Sequence, residues 1–524
     1  MAGRVDFFVE RHILIGLIVS TEYLNEIRDV WEHRLLESPT ARKVAAWCLE
    51  YYDHYQEAPG RDLEQIYFEK LKAGDLPQDL AEELEEDLLP DLSEEYEHAE
   101  SFNVDYLLDK TRDYFTQRNL ELHQQEVQGL MEEGRVEEAE QLQKEYTPLH
   151  KDLDADVNLA DPKSLDRVKK AFSDRQKTLL EYPGAVGEML NSQLTRDALV
   201  AFLAPEKRGK SWILLDLARR AVRQRLNVAF FQAGDMSESQ QIRRLGIHLA
   251  KRSDRQEYTG NQWQPVKDCI KNQTDTCELE VRECMFGLEG EKAPSYPEEA
   301  REGLTFKQLI ELHKENPDYK ACHNCKKYQK DSEQLGCAWI EPVDTGPPLQ
   351  QSEVKGLFEE YFVKNNRQLM ISTHANSTLS VDKMDVKLDD WYRQGFVPDV
   401  IAVDYADLLE ASARDFRHRQ DEIWKGLRRL SEERHCLVAT ATQADARSYE
   451  RGLLTLGNFS EDKRKYAHAN AFIGLNQDPE GREKKIGIMR LNTLLAREGE
   501  CNPYKVVYVL QNLKRGQPML TSYW

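Results

Sequence analysis

The apolar residues of this chain change their period along its length. Through the first 150 residues they recur at helical spacing: Phe7, Phe8, Ile13, Leu14, Leu17 and Ile18, then Ala45, Cys48, Leu49 and Tyr52. Spacings of three and four put such residues on one stripe, so residues 5–150 predict a nearly all-helical region. Within it, residues 103–147 predict two long helices folded back on each other at Gly134-Arg135. Residues 151–195 are polar apart from a narrow stripe of Leu165, Val168 and Phe172. Asp161 as N-cap and Pro162 at the first helical position start a short helix there, able to dock on a neighbouring subunit or on its own chain. From 196 onward the pattern turns to continuous apolar runs, at 198–203, 227–232, 367–373, 399–404, 436–442, 471–475, 485–492 and 505–511. Unbroken runs of that length suit strands of a mostly parallel sheet covered on both faces, in an α/β domain with a β-rich C-terminal end. Residues 255–350 interrupt it with Cys, Pro and charge and little periodicity.

Length and composition add bounds. A chain of 524 residues exceeds one core and predicts several domains. Hydrophobic residues are 40% and charged residues 31%, a soluble globular balance. No apolar run reaches ~18 residues, and Met1–Asp6 has no signal-peptide architecture, so we expect no membrane partner and a cytoplasmic location. The formal charge of −22 argues against coating nucleic acid over the whole surface. A local basic channel stays open, because the acid is concentrated between Asp62 and Glu100 while Arg208–Arg255 and Lys463–Lys465 are basic.

The sharpest chemical signal is Ala204-Pro205-Glu206-Lys207-Arg208-Gly209-Lys210-Ser211. An apolar run precedes it and an amphipathic one follows, the strand–loop–helix setting of a phosphate-binding P-loop. Loop amides and the helix N-terminus would face the phosphates of ATP, with Lys210 reaching them and Ser211 ligating Mg²⁺. Ala204 stands where the pattern has its first glycine, which costs little if the backbone there keeps a negative φ. Val400-Ile401-Ala402-Val403-Asp404 is an apolar strand ending in a carboxylate that completes the Mg²⁺ shell. Asp235, at the exit of the 227–232 strand, suits a general base for the attacking water or an N-cap for the next helix, and its strand is expected beside the P-loop. Gln443 ends the 436–442 strand, where it can sense the terminal phosphate. The segment after it holds Arg447, Arg451, Lys463, Arg464 and Lys465, a candidate loop for the nucleic-acid backbone.

Six of the nine cysteines fall within 269–337. In a chain expected to be cytoplasmic, clustering points to metal before disulfides. Cys269, Cys277, Cys322 and Cys325 make a candidate structural Zn²⁺ quartet, with Cys284, Cys337, His313 and His323 as competing ligands.

Taken in order, Pro205–Ser211, Gly234-Asp235-Met236-Ser237, Val403-Asp404-Tyr405, Thr442-Gln443 and Ala496-Arg497-Glu498-Gly499 resemble the motifs of DnaB-type hexameric replicative DNA helicases, closest to phage-encoded members with a cysteine-bearing insertion. The resemblance spans nearly the whole chain. It implies a helical N-terminal interaction domain (1–150), a linker with a docking helix (151–195) and a RecA-like ATPase motor (196–524) interrupted by a zinc-binding insertion (255–350). It further implies a homohexamer acting on single-stranded and forked duplex DNA, with a primase or helicase loader as partner, in the cytoplasm of a bacterium or a phage-infected host. Asp235 takes the place of the family's usual catalytic Glu, and Arg497 that of its trans-acting arginine finger. Leu495 stands where many relatives have a second cation. Two other functions fit the same motifs: an ATP-binding DNA scaffold with weak turnover, and a RecA-like recombination ATPase.

Overall fold

The computed structural model describes residues 7–28, 30–73, 103–145, 177–234, 236–279, 288, 305–323, 325, 335–412, 416–458, 465–497, 499 and 501–524. The chain divides into two compact units, residues 1–175 with 392–395, and residues 176–391 with 396–524. The stripe of Leu165, Val168 and Phe172 lies outside the described residues.

The first unit is helical: α1 (Phe7–Val19), α2 (Thr21–Arg28), α3 (Pro39–Tyr55), α4 (Asp62–Ala73), α5 (Val104–Glu132) and α6 (Val136–Glu145). Its core gathers Ile13, Leu14, Leu17, Tyr23, Val44, Cys48 and Phe115. Ser38 caps α3 by accepting from the Ala41 N–H, with Pro39 in the first turn. α5 and α6 form the hairpin that the sequence predicts, turning at Gly134. Glu10 is buried and bonded from two elements: the Ser38 N–H donates to it at 3.0 Å and the Tyr114 hydroxyl at 2.8 Å.

The second unit opens with the short helix α7 (Gly184–Leu190) and is built on one large sheet. Its strands are β1 (Leu199–Ala204), β2 (Val228–Ala233), β5 (Leu369–His374), β6 (Val400–Asp404), β7 (Leu437–Gln443), β8 (Ala471–Asn476), β9 (Ile488–Ala496), β10 (Val506–Asn512) and β11 (Gln517–Tyr523). They lie in the order β11-β10-β9-β8-β1-β7-β6-β2-β5. The run from β8 to β5 is parallel, and β9, β10 and β11 add an antiparallel edge. Both faces of β1 are covered. Val200, Phe202 and Ala204 join one core with α8 (Lys210–Arg223), while Leu199, Ala201 and Leu203 join a second with Met384, Trp424 and Leu427. This is the mixed helical and α/β architecture, with a mostly parallel sheet, expected from the alternation of strands and helices.

The sheet order corrects one expectation. β2 is not the neighbour of the P-loop strand: β7 and β6 lie between them. At about 4.8 Å per strand, the tip of β2 starts roughly 14 Å from that of β1.

The insertion also departs from its sequence reading. It contains a nine-residue antiparallel pair, β3 (Asn261–Cys269) and β4 (Gly336–Asp344), in continuous register from Asn261↔Asp344 to Cys269↔Gly336. The pair packs on the C-terminal strands through Trp339, Ile340, Ile488, Tyr508, Leu510 and Tyr523. The carboxylate of Asp268, fully buried, accepts from the N–H groups of Cys269 and Cys322, from the side-chain amides of Asn272 and Gln273, and from the Tyr319 hydroxyl.

The zinc quartet is not supported. Cys269, Cys277, Cys322 and Cys325 are all described, yet no group of three or more His, Cys, Asp or Glu among the described residues is gathered closely enough to hold a metal. The local organising centre is the hydrogen-bonded Asp268. His313, a competing ligand, instead packs between the rings of Trp263 at 5.0 Å and Trp339 at 5.8 Å. Cys337 is fully buried, and burial raises its thiol pKa well above the ordinary range. Cys284 lies outside the described residues.

Candidate nucleotide-binding site

The loop Pro205–Gly209 leaves the buried C-terminal end of β1 and feeds directly into α8. Gly209 caps the helix at φ +87°, a left-handed conformation that disfavours side chains, although a Cβ there would meet only Leu513 at 3.8 Å. Backbone angle, not crowding, demands the glycine. Ala204 closes β1 as an extended residue in register with Gln443, and its methyl belongs to the core, so the loop tolerates alanine there.

Lys210 is 8% exposed. Its ammonium donates to the carbonyl oxygens of Ala204 at 3.1 Å and Pro205 at 3.3 Å, and lies 5.4 Å from the Tyr405 ring centroid. The cation is thus held over the loop that starts the helix. An anionic phosphate offers it a stronger, charge-assisted partner than neutral carbonyls do. The Ser211 hydroxyl donates to Asp404 Oδ1 at 3.1 Å, and Asp404 is fully buried at the end of β6. This hydroxyl and carboxylate are hard oxygen donors that fit Mg²⁺. In the same loop, exposed Lys207 has φ +61°, and the half-buried Arg208 guanidinium donates to Gln477 Oε1 at 3.0 Å, tying the loop to the exit of β8.

Gln443 ends β7 between β1 and β6, and the following Ala444 N–H donates to the Ala204 carbonyl at 3.0 Å. The structure therefore brings Lys210, Ser211, Asp404 and Gln443 to one edge of the sheet. Asp235 lies outside the described residues. It is not the N-cap of the following helix, α9 (Glu238–Ala250): that role belongs to Ser237, in a capping box with Gln240. Gly234, just before it, has φ +97°, and a Cβ there would sit 2.8 Å from the Asn376 backbone, so the exit of β2 is fixed in a conformation only glycine meets.

Arg497 falls at the other edge. β9 runs antiparallel to β8, with Ala496 opposite Ala471, and Ala471 is opposite Val200 near the start of β1. The Arg497 N–H donates to the Asn470 carbonyl at 2.8 Å, and its guanidinium donates to the Ala467 carbonyl. The length of β1, about 3.3 Å per residue, separates Arg497 from the P-loop of its own chain.

The candidate nucleic-acid loop divides. Arg451 is exposed. Lys465 is not available to a polyanion: it is 1% exposed and its ammonium donates to Asp407 Oδ1 at 2.6 Å. Lys463, Arg464 and the Arg447 side chain lie outside the described residues.

Two residues near the site escape sequence reasoning. The Arg244 guanidinium stacks 5.1 Å from the ring of Trp212, the residue after Ser211. Burial lowers its pKa, and the negative charge of Asp404 opposes that shift. Neighbouring Arg243 hides which of the two turns inward; an aromatic directly after the P-loop serine was the available signal. Asp407, three residues beyond Asp404, receives the Gln443 N–H at 2.8 Å.

No family model matches the chain, and no curated protein matches it. Solved structures do. One, described as an ATPase domain, is 14% identical, with 68% of this chain and 96% of that chain covered at a TM-score of 0.42. Another, described as a DnaB-like replicative helicase and its interactions with primase, is 13% identical, with 97% of this chain and 98% of that chain covered at a TM-score of 0.43.

Proposed function

We propose that this protein is an ATP-driven, ring-forming DNA helicase of the DnaB type, which translocates on single-stranded DNA and separates the duplex during replication. The observation that carries the reading is the Ser211–Asp404 contact beside Lys210. A P-loop serine and a strand-end carboxylate come together at the C-terminal edge of a parallel sheet, with Gln443 on the intervening strand. Lys210 binds and orients the β- and γ-phosphates. Ser211 and Asp404 hold Mg²⁺, which when bound neutralises charge on the transferring phosphoryl group. Asp235 accepts the proton of the attacking water, and Gln443 senses the terminal phosphate. Arg497, carried to the far edge of its own sheet, serves the site of an adjacent subunit, which makes the ring a functional requirement. Arg451 and its neighbours contact the DNA backbone. The helical N-terminal unit is the surface for a primase or loader.

The test is ATP turnover with and without single-stranded DNA. A motor hydrolyses ATP and is stimulated by the strand. A chain that binds both ATP and DNA without such turnover is a scaffold, and the motor reading fails.

A further inference from the structure

We infer that the pair of half-buried Asp407 and buried Lys465 is a positioning device that couples Gln443 to the segment carrying Arg451; this rests on the motor reading above. Asp407 lies in the short turn Ala406–Leu408 that follows β6, the strand ending in Asp404. Its carboxylate accepts from the backbone N–H of Gln443 at 2.8 Å, from the Thr442 hydroxyl at 2.8 Å, and from the Lys465 ammonium at 2.6 Å. The same ammonium donates to Thr442 Oγ1 at 3.1 Å. Thr442 is fully buried and Lys465 nearly so.

One carboxylate thus joins three pieces of chain: the exit of the Asp404 strand, the end of the Gln443 strand, and the start of the helix Lys465–His468. That helix marks where the chain returns after Arg451. The base of the outgoing part is also tied, since the Asp445 N–H donates to the Asn458 carbonyl at 2.9 Å. At the other end of the helix, His468 Nε2 is 3.0 Å from Asp421 Oδ1. A buried ammonium is tolerable only while its counter-charge stays with it, so the three pieces move as a unit. A change at Gln443 on loss of the terminal phosphate is then transmitted to Lys465 through Asp407, with no contact between phosphate and DNA segment. A basic residue spent in the interior, beside others that read as a DNA loop, has its explanation here.

The test compares the full chain with the double variant Asp407→Asn/Lys465→Met. It leaves no charge in the interior and keeps an oxygen for the Gln443 N–H. Four quantities are read: thermal melting, binding of a fluorescent ATP analogue, binding of a labelled oligo-dT, and ATP turnover with and without saturating oligo-dT. We expect both affinities to stay near the parent's, while the factor by which oligo-dT stimulates turnover falls by roughly tenfold. A purely structural role would move affinity and turnover together. Should the double variant not fold, Thr442→Val, which keeps the shape and removes only the shared hydroxyl, carries the same comparison with a smaller loss. Unchanged stimulation overturns the inference, and so does loss of oligo-dT binding in step with stimulation. A parent chain that oligo-dT fails to stimulate overturns the motor reading, and this inference with it.

Discussion

Ser211 and Asp404 stand 193 residues apart in sequence, and the Ser211 hydroxyl donates to the Asp404 carboxylate at 3.1 Å. Their meeting follows from strand order. β1 delivers the P-loop, β6 delivers the carboxylate, and β7 between them sets the separation that a serine at the first turn of α8 can span. Neither residue type is distinctive alone. Together, beside a lysine folded over its own loop, they form the donor set of a nucleotide–Mg²⁺ site.

Replacing Lys210 by alanine removes the cation held over the loop, whose nitrogen donates to the carbonyl oxygens of Ala204 and Pro205. We expect ATP turnover to fall below detection while melting temperature and secondary structure stay near those of the parent. A steady-state phosphate-release assay with circular dichroism on the same preparation checks both. Turnover near the parental rate would remove Lys210 from the mechanism.

Arg497→Ala is expected to bind nucleotide through its own P-loop and to lose turnover by on the order of 10³-fold, the scale of an arginine finger. Mixing it with Lys210→Ala chains pairs some intact P-loops with intact fingers. Activity should reappear at intermediate ratios, measured by titrating one variant into the other. Near-normal turnover of pure Arg497→Ala would contradict the assignment. Arg490, within β9 and also late in the chain, could not take the finger's place, since it is 4% exposed and ion-paired with Glu483 at 2.7 Å.

Acid should loosen the P-loop helix. Burial opposes ionisation of Asp216, yet the His248 hydrogen bond and the charges of Arg220 and Arg219 together hold its carboxyl well below the usual carboxylate range. A depressed folded pKa means stability that is present above the unfolded value of about 3.9 and is lost as pH falls below it. Denaturant unfolding at stepped pH should show this loss, and Asp216→Asn should flatten it. At neutral pH, Asp216→Ala strands two arginines and should cost about 3–5 kcal/mol. An unaltered acid limb in Asp216→Asn would assign the loss to other groups.

Asp268→Ala should destabilise the insertion. The substitution leaves five donors inside the protein without their carboxylate. Unsatisfied buried donors cost about 1–3 kcal/mol each, less what relaxation recovers. Hydrogen exchange of the β3–β4 amides reads this locally, and protection equal to the parent's would refute the role given to Asp268.

The strands of the large sheet were legible because continuous apolar runs such as Leu199–Leu203 and Val400–Val403 have few other uses in a soluble chain. β3 and β4 were not, because Pro265, Lys267 and Asp268 break the alternation and the pair is held by contacts with β10 and β11, far away in sequence. The same distance misled the reading of charge. Beside Lys463 and Arg464, Lys465 looks like surface, and only the fold brings it to Asp407, 58 residues away. The cysteines pointed to metal by their density and by the two-residue spacing of Cys322 and Cys325. What gathers around Asp268 instead are backbone amides and neutral side chains, which leave no spacing signature.

Strand separation is the defining act of the proposed motor. Purified protein, ATP and Mg²⁺ are mixed with a labelled forked duplex, and release of the labelled strand is followed in time, with Lys210→Ala as control. We expect ATP-dependent release by the parent and none by Lys210→Ala. Vigorous DNA-stimulated ATP turnover with no strand released, on forks of either polarity, would contradict the helicase assignment and favour a recombination ATPase.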